Sequence, residues 1–264
     1  CISQAAKDFA TQIQAEYQDW FAGQTGATRF NTPQMPVIPL GIDCPSFTPE
    51  AGQRDAARQA LAIAAKETLF LFAGRLSFHA KANPAPVYQA LEQVAQKTPI
   101  VCIEAGVFPN EGIRDGFRRA QTPFAPSVRF IWVDGQYENA YRQAWKAADV
   151  FVSLSDNIQE TFGLTPVEAM AAGLPVVVSD WNGYKDTIRD GVDGFRIPTI
   201  LPPSETGRDL AERHALSLDS YDLFIGRVSL ATVVDPVALQ RAFLTLATQP
   251  QLRAEMGAAG SRRA

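Results

Sequence analysis

Two glutamates, Glu160 and Glu168, stand eight positions apart in SLSDNIQETFGLTPVEAMAAGLPVVVSD, residues 153 to 180. The TFGLTPV between them carries no charge and has a glycine in its middle, and an apolar run follows almost at once. Thr165-Pro166-Val167-Glu168 fits a helix capping box with proline at the first helical position. On spacing alone that cap is the better reading of Glu168. Glu160 has no such explanation, because a carboxylate beside an apolar turn gains nothing from packing. Upstream, GRLSFHAKANP (74–84) offers a second set of groups. Gly74 frees the backbone, Arg75 presents a planar fork of donors, and Lys81 adds a point charge, a combination that suits a diphosphate. Taken alone, two solvated loop cations explain this stretch better. His79 between them has no visible partner and reads as a polar loop residue.

Such groups need elements to hold them. From residue 68 onward, short apolar runs alternate with longer amphipathic ones. TLFLFAG (68–74), PIVCIEAG (99–106), SVRFIWVDG (127–135), DVFVSLS (149–155) and PVVVSD (175–180) read as strands. Helices are expected over 84–97, 110–120, 138–148 and about 165–172. Near-continuous apolar strands are what burial on both faces demands. Their alternation with helices predicts an α/β fold with a doubly wound parallel sheet and right-handed crossovers. In such sheets ligands lie beyond the carboxyl ends of the strands, where both sets of residues fall. The helix expected to start between Gly163 and Thr165 would aim its unpaired amides at the same rim, an anion site. Residues 1–35 hold one helix-like segment and a loose stretch, and MPVIPLG (35–41) is expected to be a strand. Residues 201–218 look like an excursion, and periodic segments near 219–231, 235–248 and 250–259 predict a helical tail.

The composition bounds the rest. The chain has 264 residues, 20% charged and 46% hydrophobic, with a net charge of −4. A chain of this length buries enough surface to fold without disulfide or metal. With no basic stripe, nothing points to nucleic acid. The three cysteines and two histidines are too few and too scattered for a zinc cluster, and this usage points to a reducing, cytoplasmic setting. No apolar run approaches the length of a membrane span. The first residue is Cys1 rather than methionine, as expected of a piece of a longer chain.

ETFGLTPVEAMAAGLPVVVSDWNG closely resembles the E-x7-E region of retaining family-4 glycosyltransferases (glycosyl transferase group 1). GRLSFHAK resembles their Gly-Arg-Leu…Lys diphosphate motif, and IPLGID (38–43) resembles their Pro-Asn-Gly-Val-Asp segment, with Leu40 in place of Asn. DGVDGFRIP (190–198) is similar to their Asp-Gly-x-x-Gly turn. Order and spacing agree over roughly residues 35–200, which reverses the bland reading of Arg75 and Lys81.

The resemblance implies the C-terminal half of a GT-B enzyme, a Rossmann-like nucleotide-sugar-binding domain over residues 36–200. Residues 1–35 would then be a leading helix and linker from the N-terminal acceptor domain. Residues 201–264 would be an excursion and C-terminal helices packed on the same domain. By the resemblance, Arg75 and Lys81 neutralise the leaving diphosphate, helped by the backbone of Phe162, Gly163, Leu164 and Thr165. Glu160 contacts the transferred sugar, Glu168 the ribose, and the backbone of Val133, Asp134 and Gly135 flanks the base. No Asp-x-Asp motif is present, so no metal or other cofactor is expected. The expected partners are a nucleotide-sugar donor and the acceptor domain of the same protein. The full-length enzyme leaves room for peripheral membrane contact, and this chain alone is expected to bind without turnover. Two other functions compete: a non-catalytic nucleotide-sugar-binding module, and a sugar-nucleotide epimerase of the same fold, which lacks the Glu-Thr-Phe-Gly-Leu arrangement.

Overall fold

The computed structural model describes residues 1–158 and 160–264. At its centre six strands lie parallel: β1 (Thr68–Ala73), β2 (Ile100–Gly106), β3 (Arg129–Asp134), β4 (Val150–Ser153), β5 (Val176–Ser179) and β6 (Gly194–Ile197). Their order is β3-β2-β1-β4-β5-β6, so the winding reverses between β1 and β4. That switch point opens a crevice at the strands' carboxyl ends. Three helices precede the sheet: α1 (Gln4–Thr25), α2 (Cys44–Phe47) and α3 (Gln53–Ala60). One helix follows each strand from β1 to β5, namely α4 (Ala85–Ala95), α5 (Glu111–Phe124), α6 (Glu138–Ala147), α7 (Leu164–Ala171) and the short α8 (Tyr184–Thr187).

Alternate strand residues serve two cores, which is why the strands read as unbroken apolar runs. Phe70, Cys102, Val150 and Val152 pack with Leu91, Phe117 and Phe243 on one face. Leu69, Leu71, Ile103 and Phe151 pack with Trp145 and Met170 on the other. The segment read as an excursion contains a helix, α9 (Arg208–Ala215), and the chain ends in α10 (Tyr221–Ser229), α11 (Pro236–Thr248) and α12 (Pro250–Ser261), the expected helical tail. A small antiparallel ribbon, β7 (Thr199–Ile200) with β8 (Val233–Val234), brackets α9 and α10. No helix among the described residues is long and apolar enough to cross a membrane.

Two expectations need correction. Residues 35–41 form no strand. Pro36 and Pro39 supply no amide donor, and the segment is instead tied to the chain start, Ile38 N donating to Cys1 O at 2.8 Å and the Cys1 ammonium to Pro36 O at 2.8 Å. Residues 190–198, read as a turn, are a turn that feeds a sixth strand, with Gly194–Ile197 in register with Val176–Ser179.

Candidate functional site

The carboxyl ends of β1, β2 and β3 finish in glycines whose backbones touch. A Cβ on Gly106 would lie 1.8 Å from the Gly74 carbonyl oxygen, so no side chain fits there. Gly74 N donates to Ala105 O at 2.9 Å and Gly135 N to Gly106 O at 3.0 Å. Bare backbone therefore floors a cavity of about 450 Å³ lined by Gly74, Arg75, Gly106, Val107, Gly135 and Tyr141 among others. Of the three residues expected at a base, only Gly135 lines this space. The Val133 side chain is buried in the core, and the Asp134 carboxylate accepts from Gln136 N at 2.9 Å, closing its own turn.

The loop after β1 is shaped from within, since Arg75 Nη2 donates to Ala80 O at 3.0 Å. From the same loop Lys81 reaches across the switch point to form an ion pair with Glu160, which arrives on the loop after β4. The two are 79 residues apart in sequence and both largely shielded from water. A third group joins them. The Tyr184 hydroxyl donates to Glu160 Oε2 at 3.1 Å, shares a 2.7 Å hydrogen bond with Ser153 Oγ, and accepts from Lys81 Nζ at 3.5 Å. Burial pulls the Lys81 ammonium down, but Tyr184 and Glu160 outweigh it and its pKa is raised above the ordinary lysine value. Burial pushes the Tyr184 phenol up to about 12. Neither Tyr184 nor Ser153 is marked by charge or motif. The one hint is that WNG at 181–183 lies on the rim after β5, with Tyr184 next in line.

The Tyr184 ring also shapes the start of α7. The residue before that helix is Gly163 at φ +86°, a conformation that favours glycine. A Cβ there would sit 2.2 Å from Tyr184 Cε1, so chain conformation and packing both demand glycine. Leu164, Thr165 and Pro166 form the first turn, and no side chain caps it. This corrects the capping box. Thr165 is the second residue of the helix, and its buried Oγ1 has no hydrogen-bond partner among the described residues. Phe162 is buried, while Leu164 is exposed on the rim. Glu168, one turn into α7, is half-buried, and burial raises its pKa. Among the described residues its carboxylate makes no hydrogen bond or ion pair. Burial first, and then the Glu168 charge, push up the phenol of Tyr141, which lines the strand-end cavity.

The sequence places this constellation within a family. Residues 53–204, more than half of the chain, match the family described as Glycosyl transferases group 1. The chain belongs to that family. Among curated relatives, this group 1 glycosyl transferase is 32% identical over 176 residues to a phosphatidyl-myo-inositol mannosyltransferase of Mycobacterium tuberculosis, covering 66% of this chain and 42% of the relative. It thus spans less than half the length of the curated relatives it matches. Among solved structures, sucrose-phosphate synthase from Thermosynechococcus elongatus superposes with a TM-score of 0.59 at 22% identity, over 93% of this chain and 51% of that one. Anabaena HepE, solved in complex with UDP-glucose, superposes with a TM-score of 0.51 at 24% identity, over 81% of this chain and 56% of that one. These likenesses establish the shared fold of the group 1 glycosyl transferase.

Proposed function

We propose that the strand-end crevice binds a nucleoside-diphosphate sugar, and that this chain is the C-terminal, donor-binding part of a retaining family-4 GT-B glycosyltransferase. The observation that carries the reading is the meeting of Lys81 and Glu160 across the switch point, next to the uncapped start of α7. A largely buried cation, a carboxylate and a helix start with no side-chain cap converge there. HepE, of the same fold, was solved with UDP-glucose, which favours this class of ligand.

In this reading Arg75, Lys81 and the amides from Phe162 to Thr165 hold the diphosphate. The bare backbone at Gly74, Gly106 and Gly135 accepts the base, with Val133 and Asp134 contributing main chain only. Glu168 accepts from the ribose hydroxyls and Glu160 from the hydroxyls of the sugar. When the C1–O bond breaks, its electron pair goes to the diphosphate oxygen and positive charge develops on the ring. The acceptor hydroxyl attacks C1 from the leaving-group face, and its proton passes to the departing diphosphate. Fixed cations and dipoles aimed at that oxygen lower the barrier without reorganising. Arg75 and Lys81 would take the part of a divalent ion, so the reaction is metal-independent. Residues 1–35 would join the donor domain (36–200) to an acceptor domain in a cytoplasmic enzyme, with 201–264 packed on the donor domain.

Calorimetric titration with UDP, GDP and ADP, alone and as nucleotide-sugars, tests the reading. One nucleotide series should bind saturably. Charge-assisted hydrogen bonds contribute about 1.5–3 kcal/mol each, so Arg75→Ala should weaken that binding about tenfold or more. Failure of every series, or equal affinity for Arg75→Ala with the fold intact, would overturn it.

A further inference from the structure

Tyr184 is 0% exposed, so its side chain is sealed away from any ligand, yet its hydroxyl sits on the ion pair at the switch point. A phenol has one hydrogen to donate and two lone pairs with which to accept. All three are committed. The hydroxyl donates to Glu160 Oε2, which makes Ser153 the donor in their shared bond, and it accepts from Lys81 as well. One bond to Ser153 would satisfy a hydroxyl that served packing alone.

The phenol is anchored from two sides. Ser153 belongs to β4 and is itself 0% exposed. Trp181 Nε1 donates to Asn157 O at 3.0 Å, and Trp181 O accepts from Tyr184 N at 2.9 Å. The turn that carries Tyr184 is thereby tied to the loop after β4, the loop that brings Glu160.

Both donors to Glu160 reach the same oxygen. Lys81 and Tyr184 bond Oε2, and Oε1 accepts from none of the described residues. The Glu160 side chain keeps 12% of its surface exposed, and Oε1 is not among its buried atoms. An ammonium on a flexible four-carbon stem acts as a point charge and fixes little direction. A buried ring packed against Gly163 is rigid and supplies that direction.

We propose that Tyr184 is the positioning residue for the sugar end of the donor: its hydroxyl holds Glu160 by Oε2 so that Oε1 is presented to the sugar hydroxyls. Resting on the donor reading, this assignment names what makes the crevice favour a nucleotide-sugar over the bare nucleotide.

Calorimetry of this chain with UDP against UDP-glucose, GDP against GDP-mannose and ADP against ADP-glucose reads the sugar's share of the affinity as a ratio. Tyr184→Phe keeps the ring against Gly163 and removes one bond to a charged group. It should lower the ratio about fivefold for the pair that binds. Glu160→Ala leaves no carboxylate to orient, so adding Tyr184→Phe to it should leave the ratio where it is. A purely structural role would weaken both ligands of a pair alike. Should Tyr184→Phe not fold, Ser153→Ala removes the bond that aims the phenol and should lower the ratio in the same direction. The inference fails if the single variant leaves the ratio unchanged, or if its effect persists in full on Glu160→Ala. A wild-type chain that binds no member of any pair would overturn the donor reading and this inference with it; binding with an unchanged ratio would overturn this inference alone.

Discussion

The two carboxylates of the E-x7-E segment meet different surroundings. Glu160 is held by Lys81 and Tyr184, whereas Glu168 is half-buried and unengaged among the described residues. If Glu168 holds the ribose, Glu168→Gln replaces an acceptor oxygen with a donor, and affinity for the bare nucleoside diphosphate should fall while thermal stability barely moves. Glu160→Gln should leave bare-nucleotide affinity in place and reduce transfer by the full-length enzyme. Calorimetry on both variants reads the difference, and the opposite pattern would invert the assignment. Much of this was legible in residue types, since Arg75, Lys81, Glu160 and Glu168 differ from their apolar surroundings. Tyr184 was not, because a phenol in a rim loop shows its value only when folding puts it beside Ser153 and under Gly163. The capping box misled for a related reason. Thr165 and Glu168 have the right spacing, but a glycine at positive φ lets the helix begin before them.

At the scale of elements, apolar runs located the five strands from β1 to β5, because burial on both faces leaves a plain mark in sequence. The strand expected at 35–41 failed because apolar content says nothing about a neighbour to pair with. Strand β2 carries a carboxylate in its buried run. Glu104 of β2 accepts from Tyr88 of α4 and from Gln121 Nε2 of α5, the latter at 3.0 Å. Burial outweighs both bonds and raises its pKa from 4.5 to about 7. A folded-state pKa above the unfolded value means that the protonated form is the one the fold favours. This contribution is complete below pH 4.5 and is lost as pH rises through about 7. Glu104→Gln cannot ionise, so its melting temperature relative to wild type should rise between pH 5 and pH 8. Each pKa unit is worth about 1.4 kcal/mol, which caps the swing at about 3 kcal/mol. A difference that stays flat with pH would show that Glu104 is neutral throughout or reached by water.

At the scale of the whole molecule, the proposed leaving-group chemistry makes a claim about the complete enzyme. With Arg75 and Lys81 facing the diphosphate, transfer by the full-length protein should survive EDTA, and a loss restored by manganese or magnesium would show that the cations do not suffice. The other whole-molecule feature is α1. It is about 33 Å long by its residue count, and hydrogen bonds fasten its first turn, Gln4 N to Asp186 at 2.7 Å and Ser3 Oγ to Thr161 O at 2.5 Å. Beyond that anchor none of its residues is buried, and Phe9, Tyr17 and Trp20 are 65%, 62% and 56% exposed. A wet aromatic ridge on a lever of this length is adhesive. The isolated chain should therefore sediment as a concentration-dependent mixture of monomer and larger species, and Trp20→Glu with Phe9→Glu should return it to a single slow boundary. The same ridge would make storage concentration and detergent, rather than temperature, the variables that govern how long a preparation of this chain stays clear.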